Sequence, residues 1–175
     1  MSPAGAASAA SSARLISLRV EERGQALLRV ANCLARRGFR LESCALGPSP
    51  EEGVLALTLR VDPRGQAPEQ ISRQLAKLID LVRVEDLTGA PAVEWSSALV
   101  ELEMPGAETE GLLARHGARV LHRDQGRLVA AISGRPEEVE AAISELRALG
   151  PVDYVQGGPL ALVPGRPRRP AEVKG

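Results

Sequence analysis

Two periods alternate along this chain. From Arg14, RLISLRVE puts Ile16, Leu18 and Val20 on one face and Ser17, Arg19 and Glu21 on the other, the alternation of a half-buried strand. From Gln25 to Arg37 the apolar positions move to helical spacing, with Leu27, Val30, Ala31 and Leu34 on one side, and Gly38 follows as a helix stop. RLESCAL predicts a second strand and GPSPEEG a connection. VLALTLRVD, on which Leu55, Leu57, Leu59 and Val61 align, predicts a third strand. A second helix is predicted from Pro68 to Ile79, with Ile71, Leu75 and Leu78 facing inward, and LVRVEDLT closes the unit as a fourth strand.

TGAPAVE, from Thr88 to Glu94, has the composition of a linker, and the same order of elements then returns without obvious sequence identity. SSALVELEM is a strand, Glu108 to His116 a short helix, and ARVLHRD and RLVAAIS are two strands. Pro136 to Leu149 is a helix with proline in its first turn and acids beside its positive end, and PVDYVQ is a last strand, with PLALV following it. The reading is an α+β protein of two tandem ferredoxin-like βαββαβ units, each an antiparallel sheet with two helices on one face. The expected division is a disordered extension (1–13), a first unit (14–88), a linker (89–94), a second unit (95–163) and a disordered basic tail (164–175). The uncovered face of the first sheet carries Ser17, Arg19, Thr58, Arg60, Arg83 and Glu85, polar enough to meet water or a wet interface.

Composition narrows the function. The 175 residues are 44% apolar but only 2% aromatic, so the cores must be built from Leu, Val, Ile and Ala. Twenty-two basic residues balance 22 acidic ones, and nothing in that balance points to nucleic acid or an anionic membrane. The first 13 residues lack the basic start and apolar stretch of an export signal, and no apolar run reaches the roughly 20 residues of a membrane span, so a cytoplasmic protein is expected. Cys33 and Cys44 lack metal or redox spacing and read as free thiols. His116 and His122 have no partner at ligand spacing, there is no phosphate-binding loop or GxGxxG, and no converging acid, base and nucleophile appears, so no catalytic residue and no metal site is expected. A βαββαβ unit that stacks RNA bases needs aromatics on its central strands, and Phe39, Trp95 and Tyr154 do not supply them between Val54 and Asp62.

RRGFRLESCALGPS, from Arg36 to Ser49, together with QISRQLAKLIDLVRVEDLT, from Gln70 to Thr88, resembles the small regulatory subunits of acetolactate synthase, also called acetohydroxyacid synthase. The layout of the linker and second unit is similar too, so the resemblance runs from about Arg14 to Val163. It implies that the first unit is an ACT domain and the second that family's own C-terminal domain. It also implies a non-catalytic subunit that binds and activates a large catalytic subunit in branched-chain amino-acid biosynthesis. Thiamine diphosphate, magnesium and FAD would then reside in the large subunit, with no cofactor in this chain. Small subunits of this family pair through their ACT domains and commonly hold valine as a feedback inhibitor between two of them. The other class left open is a free-standing ACT protein that senses an amino acid and regulates a different partner.

Carried over by position, the effector loop is Glu21, Glu22, Arg23, Gly24, Gln25 and Ala26, and the opposing wall, from a partner copy, is Arg40 with Leu41. The family pattern there is roughly EN-x-x-GAL, with a second asparagine after the aromatic of RRG-aromatic. Here Glu22 stands for the first asparagine, Gln25 for the glycine and Arg40 for the second asparagine, while Ala26 and Leu27 are retained. A carboxylate at Glu22 repels a ligand carboxylate seated at the helix N-terminus, Gln25 fills space that glycine leaves open, and Arg40 supplies a cation for Glu22. Altered or lost valine sensing is the expectation.

Overall fold

The computed structural model describes residues 13–22, 25–103 and 105–165. The expectations for nearly all of the N-terminal extension and of the basic tail lie outside these residues. The chain divides between Ala90 and Pro91 into two compact units.

In the first unit, β1 (Arg14–Glu21), α1 (Ala26–Arg36), β2 (Arg40–Pro48), β3 (Val54–Asp62), α2 (Glu69–Leu75) and β4 (Leu81–Asp86) follow in order. The sheet order is β2-β3-β1-β4, antiparallel throughout, so β1 and β3 are central and β2 is an edge. Pairing of Ile16 with Leu59 and of Leu18 with Leu57 puts these side chains on the face that meets Val30, Leu34, Ile71 and Leu75 of the helices. Burying each such leucine or isoleucine contributes about 1.5–3 kcal/mol, which is how a core with one aromatic, Phe39, holds.

The buried stripe of α1 is centred on Ala26, Val30 and Leu34. The sequence period had assigned Leu27 to the core, but Leu27 is 43% exposed, because one helical residue rotates the side chain by about 100° away from Ala26. β2 runs through Gly47 and Pro48, residues read from sequence as a connection, since β3 continues to pair with them. α2 ends at Leu75, short of the expected Ile79, which is 80% exposed. A backbone bond from Leu78 N–H to the Leu75 carbonyl tightens the chain there instead of continuing the helix. The face expected to be open and polar is less exposed than alternation implies: Thr58, flanked across the strands by Ser17 and Ala45, is buried, and Ser17, Arg19, Arg60, Arg83 and Glu85 are half-buried.

In the second unit, β5 (Val93–Glu103), α3 (Ala107–Arg115), β6 (Arg119–Asp124), β7 (Arg127–Gly134), α4 (Pro136–Leu149) and β8 (Val152–Leu162) repeat the topology in the order β6-β7-β5-β8. Ala98, Val100 and Leu102 of β5 pack with Leu128, Ala130 and Ile132 of β7 beneath Leu112, Leu113, Val139, Ile143 and Leu146 of the helices. β5 begins within the segment read as a linker, because β8 runs on to Leu162 and pairs Val93 with it. Glu138 Oε2 accepts the Arg135 N–H at 2.8 Å, which fixes the start of α4 beside Pro136. Among the described residues no helix is long and apolar enough to cross a membrane.

The first unit is closed at its C-terminal end by a polar clasp. Arg14 Nε donates to Asp86 Oδ2 at 3.0 Å, Thr88 N–H donates to Asp86 Oδ1 at 2.9 Å, and Leu15 N–H donates to Thr88 Oγ1 at 2.9 Å. Burial opposes ionisation of Asp86, but hydrogen bonds from Thr88 and Arg14 outweigh it and hold its pKa below the ordinary carboxylate value. A depressed folded-state pKa stabilises the fold above the unfolded-state pKa, and that contribution is lost as pH falls through the depressed value. Replacing Asp86 with alanine should therefore cost about 2 kcal/mol at neutral pH, with wild type and variant converging in acid, as measured by chemical denaturation across that range.

Candidate functional site

The junction of β1 with α1 is anchored by backbone hydrogen bonds. Glu21 N–H donates to the Asp80 carbonyl at 2.9 Å and Glu22 N–H to the Gly53 carbonyl at 2.8 Å, tying the strand end to the turns before β4 and β3. The turn before β3 depends on Gly53, whose φ of +71° lies in the left-handed region that disfavours side chains. α1 then starts without a side-chain cap: Gln25 makes no capping hydrogen bond and no acid occupies the first turn. The N-terminus of a helix, with its unsatisfied N–H groups and its dipole, favours an anion. Arg29 Nε, one turn further on, lies 3.1 Å from Asp80 Oδ2 and fixes the helix against the loop before β4.

Glu22 and Gln25 are exposed, while Ala26 is buried in the core. Arg23 and Gly24 lie outside the described residues. Arg40 and Leu41, at the start of β2, are both exposed. Arg40 Nη2 donates to Glu42 Oε1 at 3.1 Å, two residues along the strand, where the pairing with β3 is bulged. Sequence reasoning gave Arg40 only Glu22 as a partner and missed Glu42, although two residues of opposite charge at strand period was the visible signal.

The structure does not bring the two walls together within one chain. Glu21 pairs with Val54 at the start of β3, whereas Arg40 pairs with Asp62 at its end. Eight residues of strand separate those positions, about 26 Å at roughly 3.3 Å per residue. One chain therefore carries the two expected walls at opposite ends of its sheet.

Neither histidine gathers a catalytic set. His116 Nε2 lies 3.4 Å from Glu145 Oε2, His122 is exposed on β6, and among the described residues no group of three metal-ligating side chains is found. Cys33 and Cys44 are free, and burial raises the pKa of each thiol.

Residues 22–84 match the sequence profile of the ACT domain family. The match lies within the first unit. Similarity extends well past this domain. A probable acetolactate synthase small subunit of Methanothermobacter thermautotrophicus is 29% identical over 155 residues, 86% of this chain and 92% of its own. The acetolactate synthase small subunit of Bacillus subtilis is 28% identical over 165 residues, 92% of this chain and 96% of its own. The crystal structure of the acetolactate synthase small subunit of Thermotoga maritima superposes with a TM-score of 0.77 at 27% identity, over 86% of this chain and 96% of that one. The chain thus resembles acetolactate synthase small subunits through the ACT domain and the second unit alike.

The anchoring of the junction on Gly53 is directly testable. Gly53→Ala forces a side chain into the left-handed region and should cost about 1–2 kcal/mol in chemical denaturation, with nothing close by to clash with the added methyl. A change below a few tenths of a kcal/mol would show that the turn does not constrain the junction.

Proposed function

We propose that this chain is the regulatory, non-catalytic subunit of an acetolactate synthase, which binds the large catalytic subunit and raises its activity. The observation that carries the reading is similarity over nearly the full length of small subunits from an archaeon and a bacterium, in both units and in their order. An ACT domain alone would fit many sensors. The matching second unit favours this enzyme over a free-standing sensor. Thiamine diphosphate, magnesium and FAD then belong to the large subunit, and the complex works in the cytoplasm. Adding the purified chain to its cognate large subunit should raise the rate of acetolactate formation severalfold, while the chain alone forms none. An unchanged rate, with no complex on size-exclusion chromatography, contradicts the reading.

The subunit acts as a homodimer joined along the β2 edge and α1. Two copies paired antiparallel along β2 place Arg40 of one beside Pro48 of the other, at the end of the sheet where β1 passes into α1. Each pairing completes two sites from four half-sites. Arg40 there has a choice between Glu42 of its own strand and Glu22 across the interface, and either way the cation and carboxylates occupy positions that suit asparagine and a bound amino acid in relatives. Such a pair need not add net stability, since desolvation offsets attraction. The site consequently works without valine or with another effector. In calorimetric titration the natural chain should show no valine binding in the micromolar range. The triple variant Glu22→Asn, Gln25→Gly, Arg40→Asn should recover it. Tight binding of valine by the natural chain, with matching inhibition of the complex, would overturn this view of the site.

A further inference from the structure

The two helices of the first unit lie side by side on its sheet, and the seam between them opens into a cavity of about 370 Å³. That is within the roughly 300–1,000 Å³ typical of small-molecule sites. Cys33 and Leu78 form its apolar floor, and Arg29, Arg36, Arg37 and Lys77 line it. Arg29 and Arg36 are seven residues apart, on one face of α1 and about 10.5 Å apart along its axis. Lys77 comes from the turn after α2, so positive charge converges on the cleft from both helices.

This charge is unevenly matched. Arg29 has Asp80, but among the described residues no carboxylate pairs with Arg36, Arg37 or Lys77. Lys77 Nζ reaches only the neutral Gln74 Oε1, at 3.4 Å. A cation at the C-terminal end of a helix is ordinarily explained by the helix dipole, and Arg36 and Arg37 both stand at the end of α1. That explanation falls short here, because a helix end carries only about half an elementary charge. The cations also act on the cleft floor, where Arg37 and Lys77 partly offset the upward push of burial on the Cys33 thiol.

We propose that this cleft binds a small organic diphosphate, with the diphosphate held by Arg36, Arg37 and Lys77 and the organic part on Cys33 and Leu78. Guanidinium forks bind phosphate oxygens in pairs, lysine adds a point charge, and apolar floor atoms reward an organic group over an inorganic ion. The cleft lies between α1 and α2, and none of Glu22, Gln25, Ala26, Arg40 and Leu41 lines it. It stands independently of the assignment to acetolactate synthase.

The test is calorimetric titration of the isolated full chain, with no large subunit present, using ADP, inorganic pyrophosphate and adenosine as probes. ADP should bind saturably, pyrophosphate more weakly and adenosine not at all. Pyrophosphate binding as tightly as ADP would overturn the organic half of the proposal. The double variant Arg36→Gln, Lys77→Gln should raise the Kd for ADP by about tenfold or more. Its melting temperature and dimer mass should match those of the natural chain. ADP should also slow alkylation of Cys33 and leave the rate at Cys44 unchanged. No saturable ADP binding up to millimolar concentration, or binding indifferent to the double variant, overturns the proposal. Preference for an acidic peptide over every small anion does so too.

Discussion

Among the described residues, strand β2 is hydrogen-bonded on one side only. Its inner side is joined to β3 from Arg40 to Pro48, while its outer side presents a row of backbone donors and acceptors that a second strand can satisfy. The order β2-β3-β1-β4 also fixes where the ends of those strands fall. The β1–α1 junction lies beside the start of β3 and the first residues of β2 lie beside its end, so no adjustment within one chain brings Glu22 to Arg40. An antiparallel partner along the open edge removes this separation by symmetry. Exposed apolar side chains, Leu41 and Leu46 on β2 and Leu27 and Leu28 on α1, give such a partner something to cover.

The cores make this geometry stiff. Each sheet buries one face under two helices with leucine, valine, isoleucine and alanine, and the central strands are paired on both sides. The second sheet differs on its other face, where Trp95, Leu99, Val155 and Leu160 stand exposed in cross-strand pairs. In the first unit the Arg14–Asp86–Thr88 clasp locks β1 to β4 at the end of the sheet away from the junction. What remains adjustable is the surface chemistry at Glu22, Gln25 and Arg40, which can change without disturbing packing because all three are exposed.

The strands were legible because a period of two leaves little freedom: Ile16, Leu18 and Val20 had to share a face, and they do. Helix faces were less so. Leu27 competed with Ala26 for the core, and a larger side chain one residue along outweighs a small one in any sequence pattern, although the backbone chose the small one. Ends were read too early or too late where pairing decides them, as at Gly47, Pro48 and Val93, since pairing partners are not local in sequence. Glu22, Gln25 and Arg40 were found only through resemblance, as exposed polar residues with no periodic signal of their own. The cleft between α1 and α2 was not found, because Arg36 and Lys77 lie far apart in the chain and meet only when both helices dock.

The central claim is that the working site is built by two chains across the β2 edge, and Cys44 offers a direct test. It is exposed and lies midway between Arg40 and Pro48, so antiparallel pairing centred on the strand sets it beside its own copy. In a Cys33→Ser chain Cys44 is the sole thiol, open to a short bifunctional maleimide at micromolar protein concentration. The expected result is a covalent dimer in high yield that retains the fold. A chain that stays uncrosslinked and sediments as a monomer at the same concentration would contradict the account.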